Sequence, residues 1–261
     1  MSSAPSGPSP SPRVQAVPGA PLVLAVDTSG PVETIALTQG DIALAQSHSR
    51  KPRAQGTAMG ESVQRMLDSV SRQPQDLDAI AVAVGPGSFT GLRVGIAVAR
   101  GLADGLGIPT LPYPSTLGWA CAMRSCAVPV AVTLDARRGE LYTALYRSST
   151  EGLPELLREP HLESPESWLQ VLKEVETEGS LLVGDGALLY GHLFRAELGS
   201  AGRLIEPPIV GPDMSEVARD VARRMHQSTL VSEPLAPLYL RGHDGTRSQP
   251  PSPAAIATDP R

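Results

Sequence analysis

Apolar positions fall into short runs and helical stripes that divide the chain into a regular succession of elements. Residues 22–26 are a Leu/Val/Ala run closing on Asp27, the pattern of a strand covered on both faces. Thr28-Ser29-Gly30-Pro31 supplies a turn, and residues 32–38 and 42–46 read as two further strands about the tight Gln39-Gly40-Asp41 connection. Met59, Val63, Met66, Leu67 and Val70 then recur at helical spacing, with Glu61, Gln64, Arg65 and Asp68 on the opposite face. This predicts a helix over residues 57–72. A buried strand at 79–84, a glycine-rich loop, a helix over 90–106 stopped by Gly107 and a short strand at 108–113 complete the first half.

The second half starts in the same way. Residues 128–134 form a buried run ending at Asp135, Ala136 to Gly139 make the turn, and residues 140–146 alternate as a strand. Set side by side, LAVDTSGPVETIAL and VTLDARRGELYTAL match Asp27 with Asp135, Ala36 with Ala144 and Leu37 with Leu145, each pair 108 positions apart. A strand at 181–183 and helices over 188–198 and 214–227 follow. Two such units in tandem indicate an α/β protein of the duplicated ribonuclease-H/actin-like (ASKHA) type. The expected lobes are residues 22–113, with the helices that would dimerise, and 114–241. Ser/Pro-rich or small-residue tails, 1–21 and 242–261, are expected to be disordered.

Composition narrows the function classes. An apolar share of 41% suits a globular chain, and no apolar run approaches the ~18 residues of a membrane helix. The first 21 residues hold five Ser and six Pro without an apolar core, so no secretory leader is expected. The net charge is −5, with 20 Arg against 2 Lys, and no broad basic surface appears. Cys121 and Cys126, read as lying within one helix, suit free thiols in a reducing compartment, the cytoplasm. The five histidines, at 48, 161, 192, 226 and 243, make neither HExxH nor HxxxH, and no nucleophile elbow is present. A peptidase and a resident metal site are therefore not expected.

The sharpest candidate chemistry is the run Gly85-Pro86-Gly87-Ser88-Phe89-Thr90-Gly91-Leu92-Arg93 between a strand and a helix. Backbone N–H groups and the helix dipole favour an anion at such a place. The Walker lysine is absent, however, and Ser88 or Thr90 serves equally as an ordinary N-cap. Arg93 in the first helical turn opposes the dipole, so a carboxylate of the fold, a partner or a phosphate is expected to compensate it. Gly91, Gly95 and Ala99 leave a smooth strip, open to the chain's own sheet or to another subunit's helix. Asp27 and Asp135 read first as turn caps and second as a paired-carboxylate metal site. Arg137, Arg138 and Glu140 mark a charged hairpin tip, either solvated or a docking point.

GPGSFTGLRVG, with AIAVAV before it and ARGLADGLGIP after it, closely resembles the signature of the TsaB (YeaZ) family. LAVDTSG, LDARRGELYTALY and PLYLR match in the same order, so the resemblance spans residues 22–241. It implies a noncatalytic cytoplasmic subunit needed for threonylcarbamoyl modification of the adenosine beside the tRNA anticodon. It further implies pairing with TsaD, the catalytic paralogue, with a TsaE-type ATPase joining and tRNA reached through the complex; a homodimer stays open. On this resemblance the partner interface is formed by the helices 57–72 and 90–106, with Met59, Val63, Met66, Leu67, Val70, Gly91, Gly95 and Ala99. No cofactor is expected on this chain, ATP and metal belonging to the partners. Gly184-Asp185-Gly186-Ala187 stands where a nucleotide-binding relative has a longer small-residue loop. The competing reading is an ATP-dependent phosphotransferase or acyltransferase whose phosphate contacts are Asp27 and the loop 85–95.

Overall fold

A computed structural model describes residues 19–50, 56–124, 126–175, 179–200, 202–204 and 211–241. Apart from residues 19–21, both expected tails lie outside the described residues. The first half forms β1 (Leu22–Asp27), β2 (Glu33–Gln39), β3 (Ile42–Ser49), α1 (Gly56–Ser69), β4 (Ala79–Gly85), α2 (Phe89–Leu106), β5 (Thr110–Pro114) and α3 (Ser115–Cys121). The second forms β6 (Val130–Arg137), β7 (Glu140–Arg147), β8 (Glu155–Glu163), α4 (Pro165–Glu174), β9 (Ser180–Val183), α5 (Asp185–Leu189), α6 (Gly191–Leu198), β10 (Gly202–Leu204) and α7 (Ser215–His226).

The first sheet runs β3-β2-β1-β4-β5 and the second β8-β7-β6-β9-β10. In each, the first three strands are antiparallel and the last two add in parallel. Identical order and sense in both halves make this the duplicated ribonuclease-H/actin-like α/β fold. The duplication reaches into the turns. Asp27 Oδ1 accepts from the Ser29 N–H at 2.7 Å, and Asp135 Oδ1 accepts from the Arg137 N–H at 2.8 Å. The expected pairing of Ala36 with Ala144 is one residue out. Asp27 sits opposite Thr34 but Asp135 opposite Leu141, so the second hairpin is shorter by one and Ala36 corresponds to Thr143.

Alternation explains the unbroken apolar runs. Leu22, Leu24 and Val26 of β1 face one apolar layer, with α1 and α2, while Val23 and Ala25 face another that both sheets share. That inner face carries Ala36, Ala79, Ala81 and Ala83, short enough for α7 to lie close through Val217, Ala218, Val221 and Ala222. α7 and α3 thus sit between the sheets, with α4 and α6 outside the second one. Here the expected second lobe, 114–241, is corrected. α7 covers the first sheet, and the segment after it returns along the first lobe, where the Glu233 N–H donates to Thr110 O and the Leu238 N–H to Val84 O.

Other corrections have local causes. β8, α4 and β10 are not marked by the apolar pattern; the first half of β8 is largely exposed, Leu156 included, so it carries no buried alternation. The expected helix 188–198 is two helices meeting at Tyr190, where φ is −104°. Cys121 ends α3, but Cys126 lies beyond it, and burial pushes both thiols up.

The expected interface residues need the largest revision. Met59, Val63, Met66, Leu67 and Ala99 are buried in the chain's own outer core against Leu24, Ile35 and Ile80, and Val70 is half-buried on its edge. These are the side chains that hold α1 and α2 to the sheet. Gly91 and Gly95 likewise face inward. A Cβ at Gly91 would stand 2.1 Å from the Thr28 carbonyl oxygen, and one at Gly95 2.3 Å from Thr28 Oγ1. The glycine strip is thus required by the chain's own β1–β2 turn.

Candidate functional site: the cleft between the lobes

The β1–β2 turn, the loop 85–91, the β6–β7 hairpin and the end of the returning segment surround a cleft of about 910 Å³. Asp27 lies behind the first wall, 1% exposed, with Oδ1 on the Ser29 amide and Oδ2 without a hydrogen-bond partner among the described residues. Burial raises its pKa from 3.8 to about 6, against the opposing pull of the Ser29 hydrogen bonds.

The loop 85–91 does not form an open phosphate cradle. The Ser88 N–H donates to Ser29 O at 2.7 Å, Ser88 Oγ caps the Gly91 N–H at 3.2 Å, and Thr28 Oγ1 donates to Gly91 O at 2.7 Å. Ser88 is therefore the N-cap of α2. A Cβ at Gly87 would meet Ser29 O at 2.5 Å, so this glycine admits the chain's own backbone. Gly85, at φ 121°, similarly faces Leu238 O. Two carbonyl oxygens thus stand where a phosphate would need donors, and Thr90 is exposed beside them.

Among the described residues, Arg93 finds no carboxylate. Its guanidinium lies 3.8 Å from the centroid of the Phe89 ring, and its Nε–H donates to Tyr239 Oη at 3.1 Å. Phe89 and Tyr239 are themselves in contact, with centroids 5.2 Å apart. Ring and phenol replace the acid that the helix dipole seemed to demand.

On the facing wall, Asp135 Oδ2 pairs with Arg137 at 2.9 Å, and the Arg241 guanidinium holds Glu140 and the carbonyls of Ala136 and Arg137. Asp185 Oδ1 accepts from the Asp135 and Gly186 N–H groups, both at 3.0 Å, and burial raises its pKa. Asp27 and Asp135 both act as turn caps. Among the described residues, no three His, Cys, Asp or Glu side chains converge as a metal-holding group. The structure brings Gly87, Ser88, Thr90, Gly91, Asp135, Arg137 and Arg138 to one cleft, adding Phe89, Trp119, Tyr239 and Arg241. Phe89 and Arg241 lie inside motifs already singled out, but nothing in spacing marked them as facing each other across a cleft.

A TsaB protein of Bacillus subtilis, a tRNA threonylcarbamoyladenosine biosynthesis protein, is 31% identical over 75% of this chain and 85% of its own length. The chain belongs to the TsaB family. A second TsaB, from Escherichia coli, is 28% identical over 64% of this chain and 80% of that protein. The model of the family described as TsaD, tRNA N6-adenosine threonylcarbamoyltransferase, matches residues 52–181, which places TsaB and TsaD sequences within reach of each other. Among solved structures, YeaZ from Pseudomonas aeruginosa superposes with a TM-score of 0.65 at 24% identity, over 84% of this chain and all of that one. This likeness carries the fold. For a TsaB chain, the plugged glycine loop and the inward-facing strip are thus features of the folded subunit itself. No helix among the described residues is long and apolar enough to cross a membrane.

Proposed function

We propose that this chain serves tRNA threonylcarbamoyladenosine biosynthesis as a noncatalytic subunit that pairs with a TsaD-like transferase. Membership of the TsaB family supports the pathway, and the outer face of α2 supports the pairing. Ala97, Gly101 and Gly105 are exposed at successive turns, and a Cβ on either glycine would meet nothing within 4 Å. Each glycine costs about 1 kcal/mol against alanine in a helix, and no neighbour among the described residues accounts for them. Half-buried Val94, Val98 and Leu102 run beside them, and Gly60 of α1 is also open. A partner helix laid over this smooth apolar face accounts for both the glycines and the valines. The docking surface is therefore the outer face of α1 and α2 and not their buried side chains.

In this reading a TsaE-like ATPase joins the pair, tRNA is reached through the assembly, and ATP and metal reside on the partners. The competing phosphotransferase or acyltransferase needs phosphate contacts in the loop 85–95. Two of the donors there, the Ser88 and Gly91 N–H groups, are held by Ser29 O and Ser88 Oγ, and the carboxylates of Asp135 and Asp185 line the same cleft.

Co-purification with the TsaD-like protein tests the proposal. Gly101→Leu and Gly105→Arg should abolish pairing while leaving the chain folded. Undiminished pairing by both variants, or tight Mg-ATP binding with turnover by the chain alone, would refute it. Size-exclusion of the chain alone reads whether the same face forms a homodimer.

A further inference from the structure

The rim of the cleft has a chemistry that pairing with a transferase does not explain. The chain has only nine aromatic residues, two Phe, five Tyr and two Trp, and four of them line this cleft. Phe89 is 45% exposed, although a phenylalanine at the first position of a helix gains nothing from facing water. The Arg93 guanidinium lies 3.8 Å from the centroid of its ring, and Tyr239, bonded to Arg93, contacts the ring at a tilt of 31°. Such a fixed aromatic and cationic group is a stacking platform.

The opposite rim carries cations on a constrained turn. Arg137 and Arg138 both adopt left-handed backbone, at φ 64° and 57°, ahead of Gly139 at φ 77°. Asn or Gly is the usual occupant of such positions, so two adjacent arginines there run against local preference. Arg241 pins this turn from within by binding the carbonyls of Ala136 and Arg137. Both arginines are exposed, and among the described residues Arg138 has no carboxylate partner. The carboxylates lie deeper: Glu33 is 6% exposed, and Asp135 and Asp185 are engaged with Arg137 and backbone amides. The cleft is thus cationic and aromatic at its rim and acidic at its floor, which favours a phosphate outside and disfavours one inside.

We infer that the rim binds single-stranded RNA, stacking an unpaired base against the Phe89–Arg93–Tyr239 group and placing the flanking phosphates on Arg137 and Arg138. A cleft of about 910 Å³ lies at the upper end of those that hold single ligands, about 300–1,000 Å³, and suits one or two splayed nucleotides. The choice of tRNA as the source rests on the proposed role in tRNA modification.

Fluorescence anisotropy of a labelled anticodon stem–loop with the full chain, alone and with its TsaD-like partner, tests this. Phe89→Ala combined with Tyr239→Ala should weaken binding about tenfold to a hundredfold, the worth of one stacked base. Arg137→Asn with Arg138→Asn keeps residues that tolerate the left-handed turn. It should weaken binding and lower the slope of log affinity against log salt by about 1.4, two single-strand phosphate contacts. Thermal unfolding verifies that each variant is folded. No binding in either state, wild-type affinity of both variants, equal affinity for a blunt duplex, or displacement of the RNA by ADP would each overturn the inference. Partner co-purification is measured on the same samples. Pairing without RNA contact overturns this inference alone, and RNA contact without pairing overturns the subunit assignment alone.

Discussion

The two sets of glycines on α2 make opposite predictions for one and the same substitution. Gly91→Ala would place a methyl group 2.1 Å from the Thr28 carbonyl oxygen, a backbone atom of a buried turn. Overpacking of this kind costs about 1–3 kcal/mol, which exceeds any helix-propensity gain at the third helical position. Gly95→Ala meets Thr28 Oγ1 at 2.3 Å, and that side chain yields only by giving up its bond to Gly91 O, so a smaller loss follows. Gly101→Ala and Gly105→Ala meet nothing and should each stabilise the isolated chain by up to ~1 kcal/mol. For a chain of this size that is an increase of about 2–4 °C in melting temperature per substitution. Partner affinity should move the other way, falling for the outward pair. The assay is differential scanning calorimetry of the four single variants beside calorimetric titration with the TsaD-like protein. A neutral Gly91→Ala would show that the inward glycines are not demanded by the turn. Outward variants that gain stability and lose no affinity would remove the case for docking on this face.

Three further outcomes follow from buried polar groups. Asp27 has a folded pKa near 6 against an ordinary 3.8, so its folded form holds a proton that the unfolded chain has lost. Its contribution is intact below pH 4 and declines as pH rises to 6, by about 3 kcal/mol in all. Urea midpoints at pH 4.5 and 7 should show this fall in the wild type and not in Asp27→Asn; parallel behaviour of the two would contradict it. Glu163 behaves oppositely: burial pushes its pKa up, but Arg158, Thr143 and Ser167 donate to it and hold it below the usual range. Its support is present above the ordinary carboxylate pKa and lost on acidification, and Arg158→Met should cost about 2–4 kcal/mol at pH 7, read by chemical denaturation. Trp168 is fully buried with its Nε1–H on Thr133 Oγ1 at 2.8 Å, so Trp168→Phe should cost about 1–3 kcal/mol, a loss that near-identical unfolding curves would exclude.

Hydrophobic pattern made the first lobe's elements legible, because its inner strands are apolar on both faces and its helices carry regular stripes, although the strand expected at 42–46 runs on to Ser49 and the helix expected to reach 72 ends at Ser69. Leu22–Asp27 and Phe89–Leu106 differ from their expected ranges by one residue at one end. The second lobe was harder to read where pattern and environment part. Among the described residues β8 pairs only with β7, and its first half, with Glu155, Leu156 and Glu159 exposed, has no regular alternation, so Glu155–Glu163 lacks a strand-like run. At the site, the Asp27 and Asp135 caps were readable, since an Asx turn is a local matter. Which way Gly91 and Gly95 point was not readable, because that depends on where Thr28, sixty-three positions from Gly91, brings its carbonyl. The compensation of Arg93 was missed for the same reason: Tyr239 reaches it only through the returning segment after α7.

Both halves of the duplicated fold engage backbone donors at the place where this architecture could offer them to an anion. In the first, Ser29 and Thr28 turn carbonyl oxygens into the glycine loop. In the second, Asp185 occupies the Asp135 amide with a carboxylate. With carbonyl and carboxylate oxygens at the floor, the cationic and aromatic groups stand at the rim, and the rim on the first lobe is the N-terminal turn of α2. The same helix presents its open glycines twelve and sixteen residues further on, at Gly101 and Gly105. At 1.5 Å per residue, Phe89 and Gly101 are about 18 Å apart along one rigid rod. A transferase docked over Gly101 would therefore stand within reach of an RNA strand held at Phe89, so that one helix sets the distance between the partner and the nucleic acid.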